Sequence, residues 1–146
     1  MSRREYELDG VRLLRYPLRK FKPHGRFPQS ELKKGVSKSV AFCQKNEFQP
    51  DVIIGHGTNP TVDMILRLKE YYHVPCALVM HDDGFDFRDI YKGDLDKIFS
   101  EIDCWGFRSY PIRRKFEKQF GMQPKSFMSF SGVPDKLYYS SNRPSI

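Results

Sequence analysis

The amino-acid sequence predicts an α/β fold, a mostly parallel sheet with helices on both faces. Three observations carry that expectation. Val52-Ile53-Ile54 and Cys76-Ala77-Leu78-Val79-Met80 are continuous apolar runs without polar alternation, the pattern of strands buried on both sides. The segment between them has helical spacing, and a strand, crossover helix, strand unit is almost always a right-handed parallel βαβ. The alternation of strand and helix then continues toward the C-terminus.

Gly10 to Leu18 alternates loosely, with Val11, Leu13 and Tyr16 among arginines and a proline at 17, which predicts a strand at a sheet edge. Residues 19–29 are basic, contain Pro23, Gly25 and Pro28, and lack periodicity, so they read as a loop. Ser30 is placed to cap a helix whose stripe is Leu32, Val36, Val40 and Cys43 and which ends near Asn46. The first buried strand stops at Gly55-His56-Gly57. Asn59 and Pro60 suit a helix start, and Val62, Ile65, Leu66 and Tyr72 keep its spacing, with Asp63 and Arg67 as an outer i,i+4 ion pair.

The second buried strand follows Val74-Pro75 and stops at His81-Asp82-Asp83-Gly84. Phe85 to Asp94 reads as an acidic, aromatic loop, long for a βα connection and therefore of functional interest. Asp94 is placed to cap a short helix with Leu95, Ile98, Phe99 and Ile102 on one face, and residues 103–107 form a short strand. Ser109 or Tyr110 with Pro111 opens another helix, striped by Ile112, Phe116 and Phe120 and stopped by Gly121. A last strand covers 126–133. Residues 1–138 thus read as one domain and 139–146 as a tail without a core pattern.

The 146 residues are 39% hydrophobic with a mean hydropathy of -0.61, below the ~45–50% apolar share of ordinary domains, so the core is small or leans on a partner. With 14% aromatics the chain should nonetheless fold. Its longest aliphatic stretch, Cys76 to Met80, is far below the ~20 residues that span a bilayer, and the N-terminus lacks a signal peptide's apolar segment. Cys43, Cys76 and Cys104 are odd in number and widely spaced, which reads as reduced thiols in a cytoplasmic protein. The net charge of +7 is unevenly spread. Residues 1–47 hold 12 basic against 5 acidic side chains, 48–103 hold 5 against 11, and 104–146 hold 8 against 2. No zinc-finger, RRM or KH signature accompanies the basic ends, so nucleic acid is not the expected partner.

In sheets of this kind ligands sit at the carboxyl ends of the strands, here Gly55 to Pro60 and His81 to Asp94. The first turn leads to a helix N-terminus, where free N–H groups attract anions. It is not a dinucleotide fingerprint, because the third glycine position is Pro60, and its glycines are equally read as making a tight turn. His81, followed by Asp82 and Asp83, can orient a hydroxyl, accept a proton or ligate a metal; a hydrogen-bonded structural histidine is the alternative. His56 holds the equivalent place on the neighbouring strand, so both can face one cleft. Asp82, Asp83 and Asp86 match no EF-hand and no H-E-x-x-H spacing, so no metal is assigned. A G-x-S-x-G elbow is missing, and Cys76 and Cys104 read as packing residues.

Four segments in order, Pro50 to Gly57, Val74 to Asp82, Ser109 with Ile112 to Phe116, and Phe130-Ser131-Gly132-Val133-Pro134, resemble the N-terminal half of family-4 glycosyltransferases. The resemblance covers about residues 10 to 138. It implies a partial GT-B N-terminal domain, Rossmann-like, forming the acceptor-side half of a retaining enzyme that moves a sugar from a nucleotide sugar to a hydroxyl acceptor, with no further cofactor. It implies that His81 contacts the donor sugar or reacting centre as the catalytic residue, and that Gly55, His56, Gly57 and Asn59 line the cleft. Asp82 and Asp83 would hydrogen-bond sugar hydroxyls, and Ser109 and Arg113 match the family's later helix. The family's first strand with its glycine-rich turn and its nucleotide-binding domain with paired glutamates have no counterpart, and its Asn-Gly-Val appears as Ser131-Gly132-Val133. The chain alone is therefore expected to be inactive and to expose a sheet edge to a second copy or a partner subunit. Its basic segment, Arg12 to Arg26, is expected to touch an anionic membrane surface or a phosphate-bearing acceptor at the inner face. The alternative is a non-catalytic binding or regulatory module with a flavodoxin-like sheet.

Overall fold

The apolar runs at 52–54 and 76–80 lie in neighbouring parallel strands, and two further strands extend the sheet. In the computed structural model, which describes residues 5–22, 25–84 and 86–130, the elements are β1 (Glu5–Leu8), β2 (Val11–Leu14), α1 (Gln29–Lys45), β3 (Ile53–His56), α2 (Thr61–Tyr72), β4 (Cys76–Met80), α3 (Phe87–Ile90), α4 (Leu95–Glu101), β5 (Cys104–Phe107), α5 (Tyr110–Phe120) and β6 (Ser126–Met128). Strands β3-β4-β5-β6 form one parallel sheet in that order, and β1 and β2 form a separate antiparallel hairpin. The fold is α/β and Rossmann-like. Among the described residues no helix is long and apolar enough to cross a membrane.

The register divides the sheet's side chains between two faces. Ile53 pairs with Cys76, Leu78 with Trp105, Met80 with Phe107, and Phe107 with Met128, so these residues share one face. That face belongs to the core cluster, together with Val62 and Ile65 of α2, Phe87 of α3, Ile98 of α4 and Phe116 of α5. The other face carries Ile54, His56, Ala77, Val79, Cys104, Gly106 and Phe127. Ile54 is 56% exposed there and Phe127 39%. Helices α2 to α5 flank the parallel sheet and contribute their buried side chains to this core face. Strands in simple sequential order, joined by crossovers of one hand, step in one direction and return successive helices to the same side.

Two glycines permit this packing. A Cβ on Gly55 would lie 2.4 Å from Thr61 Cγ2 and 2.7 Å from Ile65 Cγ2, so the glycine sets how closely α2 crosses the sheet. On the open face a Cβ on Gly106 would meet the Phe127 ring and Val79 at 2.8 and 2.9 Å.

Several local expectations are corrected. Helix α1 is capped by Pro28, whose carbonyl accepts from the Glu31 and Leu32 N–H groups, and Ser30 lies inside the helix. Asn59 does not cap α2, because its Nδ2 donates to the Gly25 carbonyl. Asp63 is 5% exposed and pairs with Arg26 at 2.7 Å, while Arg67 donates to Gln29 Oε1. The stretch 86–94 is no free loop: Phe87 and Tyr91 are fully buried, and α3 runs between Asp86 and Tyr91. Ser109 does cap α5, its hydroxyl accepting from the Ile112 N–H, and Gly121 ends that helix with a φ of 83°. Strand β6 ends at Met128; the expected Ser131-Gly132-Val133 segment and the 139–146 tail lie outside the described residues.

Candidate functional site

Strands β3, β4 and β5 end at the same edge of the sheet, and the alternation of side chains decides what they present there. His56 closes β3 on the open face. His81 follows β4 two residues beyond Val79, and so projects from the same face. The two rings meet edge to face with centroids 5.3 Å apart, and His56 Nδ1 lies 3.0 Å from His81 Nε2. One nitrogen donates to the other, so the pair holds a single shared proton in its hydrogen bond.

The backbone around the pair is well anchored. The Gly57 N–H donates to the Val79 carbonyl at 2.9 Å, prolonging the β3–β4 ladder, and Gly57 turns the chain with a φ of 78°. Thr61 Oγ1 donates to the His56 carbonyl at 2.9 Å. The residue after β5, Arg108, donates its backbone N–H to the Met80 carbonyl at 3.3 Å, and the register continues it beside His81. Partial burial, with the positive charges of Arg108 and His56, holds His81 below the usual imidazole range, while Asp82 opposes them. His81 is therefore neutral at physiological pH, able to accept or donate a hydrogen bond without carrying charge.

The other expected site residues go elsewhere. Asp82 Oδ1 accepts from the Gly84 N–H at 2.8 Å, an Asx-type turn that closes the loop after β4. Asp83 faces Lys115 of α5 at 3.7 Å, Asp94 pairs with Arg26 at 2.5 Å, and Arg113 donates to Glu117 at 2.8 Å. Gly55 serves the contact with α2, Ser109 serves the cap of α5, and Asn59 leaves its Oδ1 buried without a partner among the described residues. The structure thus joins His56, His81 and the Gly57 turn, and ties Asp83, Ser109 and Arg113 to α5. Sequence reasoning missed Arg108. Its signal was present: a charged residue directly after the buried run Trp105-Gly106-Phe107, the place His81 holds after β4.

Among the described residues no group of three or more His, Cys, Asp or Glu is arranged to hold a metal ion. The three cysteines are free thiols; burial raises that of Cys76, which fits a packing residue. No protein-family model and no curated protein matches the chain.

Proposed function

We propose that this chain is the acceptor-side half of a retaining glycosyltransferase, transferring a sugar from a nucleotide sugar to a hydroxyl acceptor, with His81 at the reacting centre. The observation that supports it is the His56–His81 contact on the exposed carboxyl edge of two adjacent parallel strands. A neutral imidazole there accepts a hydrogen bond from a sugar hydroxyl, while its neighbour fixes the ring and its tautomer. Carbohydrate recognition needs such directional, uncharged partners, and the exposed Ile54 and Phe127 of the same face offer contact to a second domain carrying the nucleotide. The chain by itself binds acceptor without completing transfer.

The test is turnover in a protein that joins this chain to a nucleotide-sugar-binding domain. His81→Ala is expected to reduce kcat by about 100-fold, the usual contribution of a positioned acid or base. Unchanged turnover removes His81 from the mechanism. The second reading, a binding module that docks to a partner protein, is favoured by the exposed Ile54 and Phe127 on the open face. Complexes that form with the partner and survive His81→Ala, without any sugar transfer, would establish it instead.

A further inference from the structure

We propose that the carboxyl edge of the open sheet face is an anion site, in which Arg108, His56 and His81 together hold a phosphate group of the ligand. This inference does not rest on sugar transfer, since it concerns the charge the edge accepts and not the reaction performed there.

Three consecutive parallel strands each deliver one basic side chain to the carboxyl end of the same face, His56 at the level of Val79 and His81 and Arg108 two residues further along. His56 comes from β3, His81 from β4, and Arg108 from β5 one step past the Met80–Phe107 pair. Among the described residues, the groups whose charge acts on His81 are Arg108, His56 and Asp82. The Asp82 carboxylate is turned back onto the Gly84 N–H. Arg108 Nε is buried without a hydrogen-bond partner among the described residues, a donor that costs stability until an acceptor reaches it. A phosphate supplies several acceptor oxygens and suits guanidinium geometry. The buried side chains of helices α2 to α5 pack on the opposite face of the sheet.

The same arrangement couples anion binding to a proton. Without a ligand, partial burial and the charges of Arg108 and His56 disfavour protonation of His81. An anion on Arg108 reverses the sign of that field, so the histidine pair takes up a proton as the anion binds, and affinity rises as pH falls through the imidazole range.

The test uses the whole chain and follows amide chemical shifts. Inorganic sulfate is the probe for pH dependence, because it keeps its charge across the range. Sulfate is expected to shift His81 and Arg108, and to bind about tenfold more tightly near pH ~6 than near pH ~8. Arg108→Gln should weaken binding at least about tenfold, and Arg108→Lys should retain part of it, which separates lost charge from lost folding. Replacing both histidines, His56→Gln with His81→Gln, should remove most of the pH dependence while Arg108 still binds. Glucose 6-phosphate should bind more tightly than glucose, and vesicles containing phosphatidic acid show whether a lipid headgroup serves as the phosphate source. Sulfate affinity unaffected by Arg108→Gln in a folded protein, shifts confined to the Arg113–Lys118 stretch of α5, or equal affinity at both pH values would overturn the proposal.

Discussion

Gly55 shows how one missing side chain places the candidate site. Any Cβ there would press on Thr61 and Ile65, whose helix begins immediately after the His56–Gly57 turn. Gly55→Ala is expected to cost about 1–3 kcal/mol by overpacking, read as a lower urea midpoint at unchanged slope. Asp103 links stability to pH. Burial alone would raise its carboxyl, but hydrogen bonds from Lys69 Nζ at 2.6 Å and the Cys76 N–H at 2.8 Å, with the charges of Lys69 and Lys125, outweigh burial and hold it below the usual carboxylate range. A carboxyl depressed in the folded state stabilises the protein above its unfolded value and loses that contribution as pH falls through the folded one. Stability should therefore decline below pH ~4, and Asp103→Asn should flatten that acid limb in urea titrations taken at successive pH values. An unchanged limb would show that other carboxylates carry it.

At the scale of elements, Arg26 joins the arm before α1 to the helices that follow, beside the Asn59–Gly25 hydrogen bond. Arg26 donates to both oxygens of nearly buried Asp63, pairs with Asp94, and lies over the Tyr91 ring with its guanidinium carbon 5.0 Å from the centroid. One side chain thereby ties the arm to α2 and to the N-terminus of α4. Arg26→Ala should destabilise by about 1–3 kcal/mol, because it strips Asp63 of its charged partner in a buried setting, and should speed proteolysis within 15–28. The cap of α5 is a smaller and independent element: Ser109→Ala should cost about 1 kcal/mol by thermal or urea unfolding. These two features also mark where the sequence was legible. Ser109 followed by Pro111 and the 112, 116, 120 stripe is a local pattern, and the cap formed as read. Strands β3 and β4 were legible as unbroken apolar runs, but only β4 is buried throughout. Strand β3 lies at the sheet edge with Ile54 exposed, so its expected burial on both faces does not hold. The partner of Asp63 was not, because Arg67 is four residues away whereas Arg26 is brought in by tertiary folding. Phe87 and Tyr91 were hidden likewise, their burial depending on a core assembled from α4, α5 and β5. At the site, the meeting of His56 and His81 followed from equivalent strand ends, while Arg108 required the register of β5 against β4.

For the whole molecule, the sheet has consequences for association. Its open face combines exposed Ile54 and Phe127 with Val79 and Ala77, which are themselves shielded although no helix of the core cluster lies over them. Strand β3 is an edge strand among the described residues, so its outer backbone groups face away from the sheet beside the exposed Ile54. An apolar edge strand of this kind is a template for pairing with another strand. Two copies meeting edge to edge would pair β3 with β3 about a twofold axis, and the like-facing Ile54 side chains would cover one another. Light scattering should therefore show an apparent mass that rises with protein concentration, and Ile54→Lys should hold the protein monomeric without lowering its melting temperature, since that side chain already faces solvent in the single chain. A monomer at every concentration would mean that the flat, four-residue strand is too short to bury a stable interface. The His56–His81–Arg108 edge lies at the end of this strand, so association through β3 would bring two positive edges into one assembly. Raising salt or adding sulfate should then strengthen association, whereas an apolar contact alone would respond to sulfate but not to chloride at low concentration.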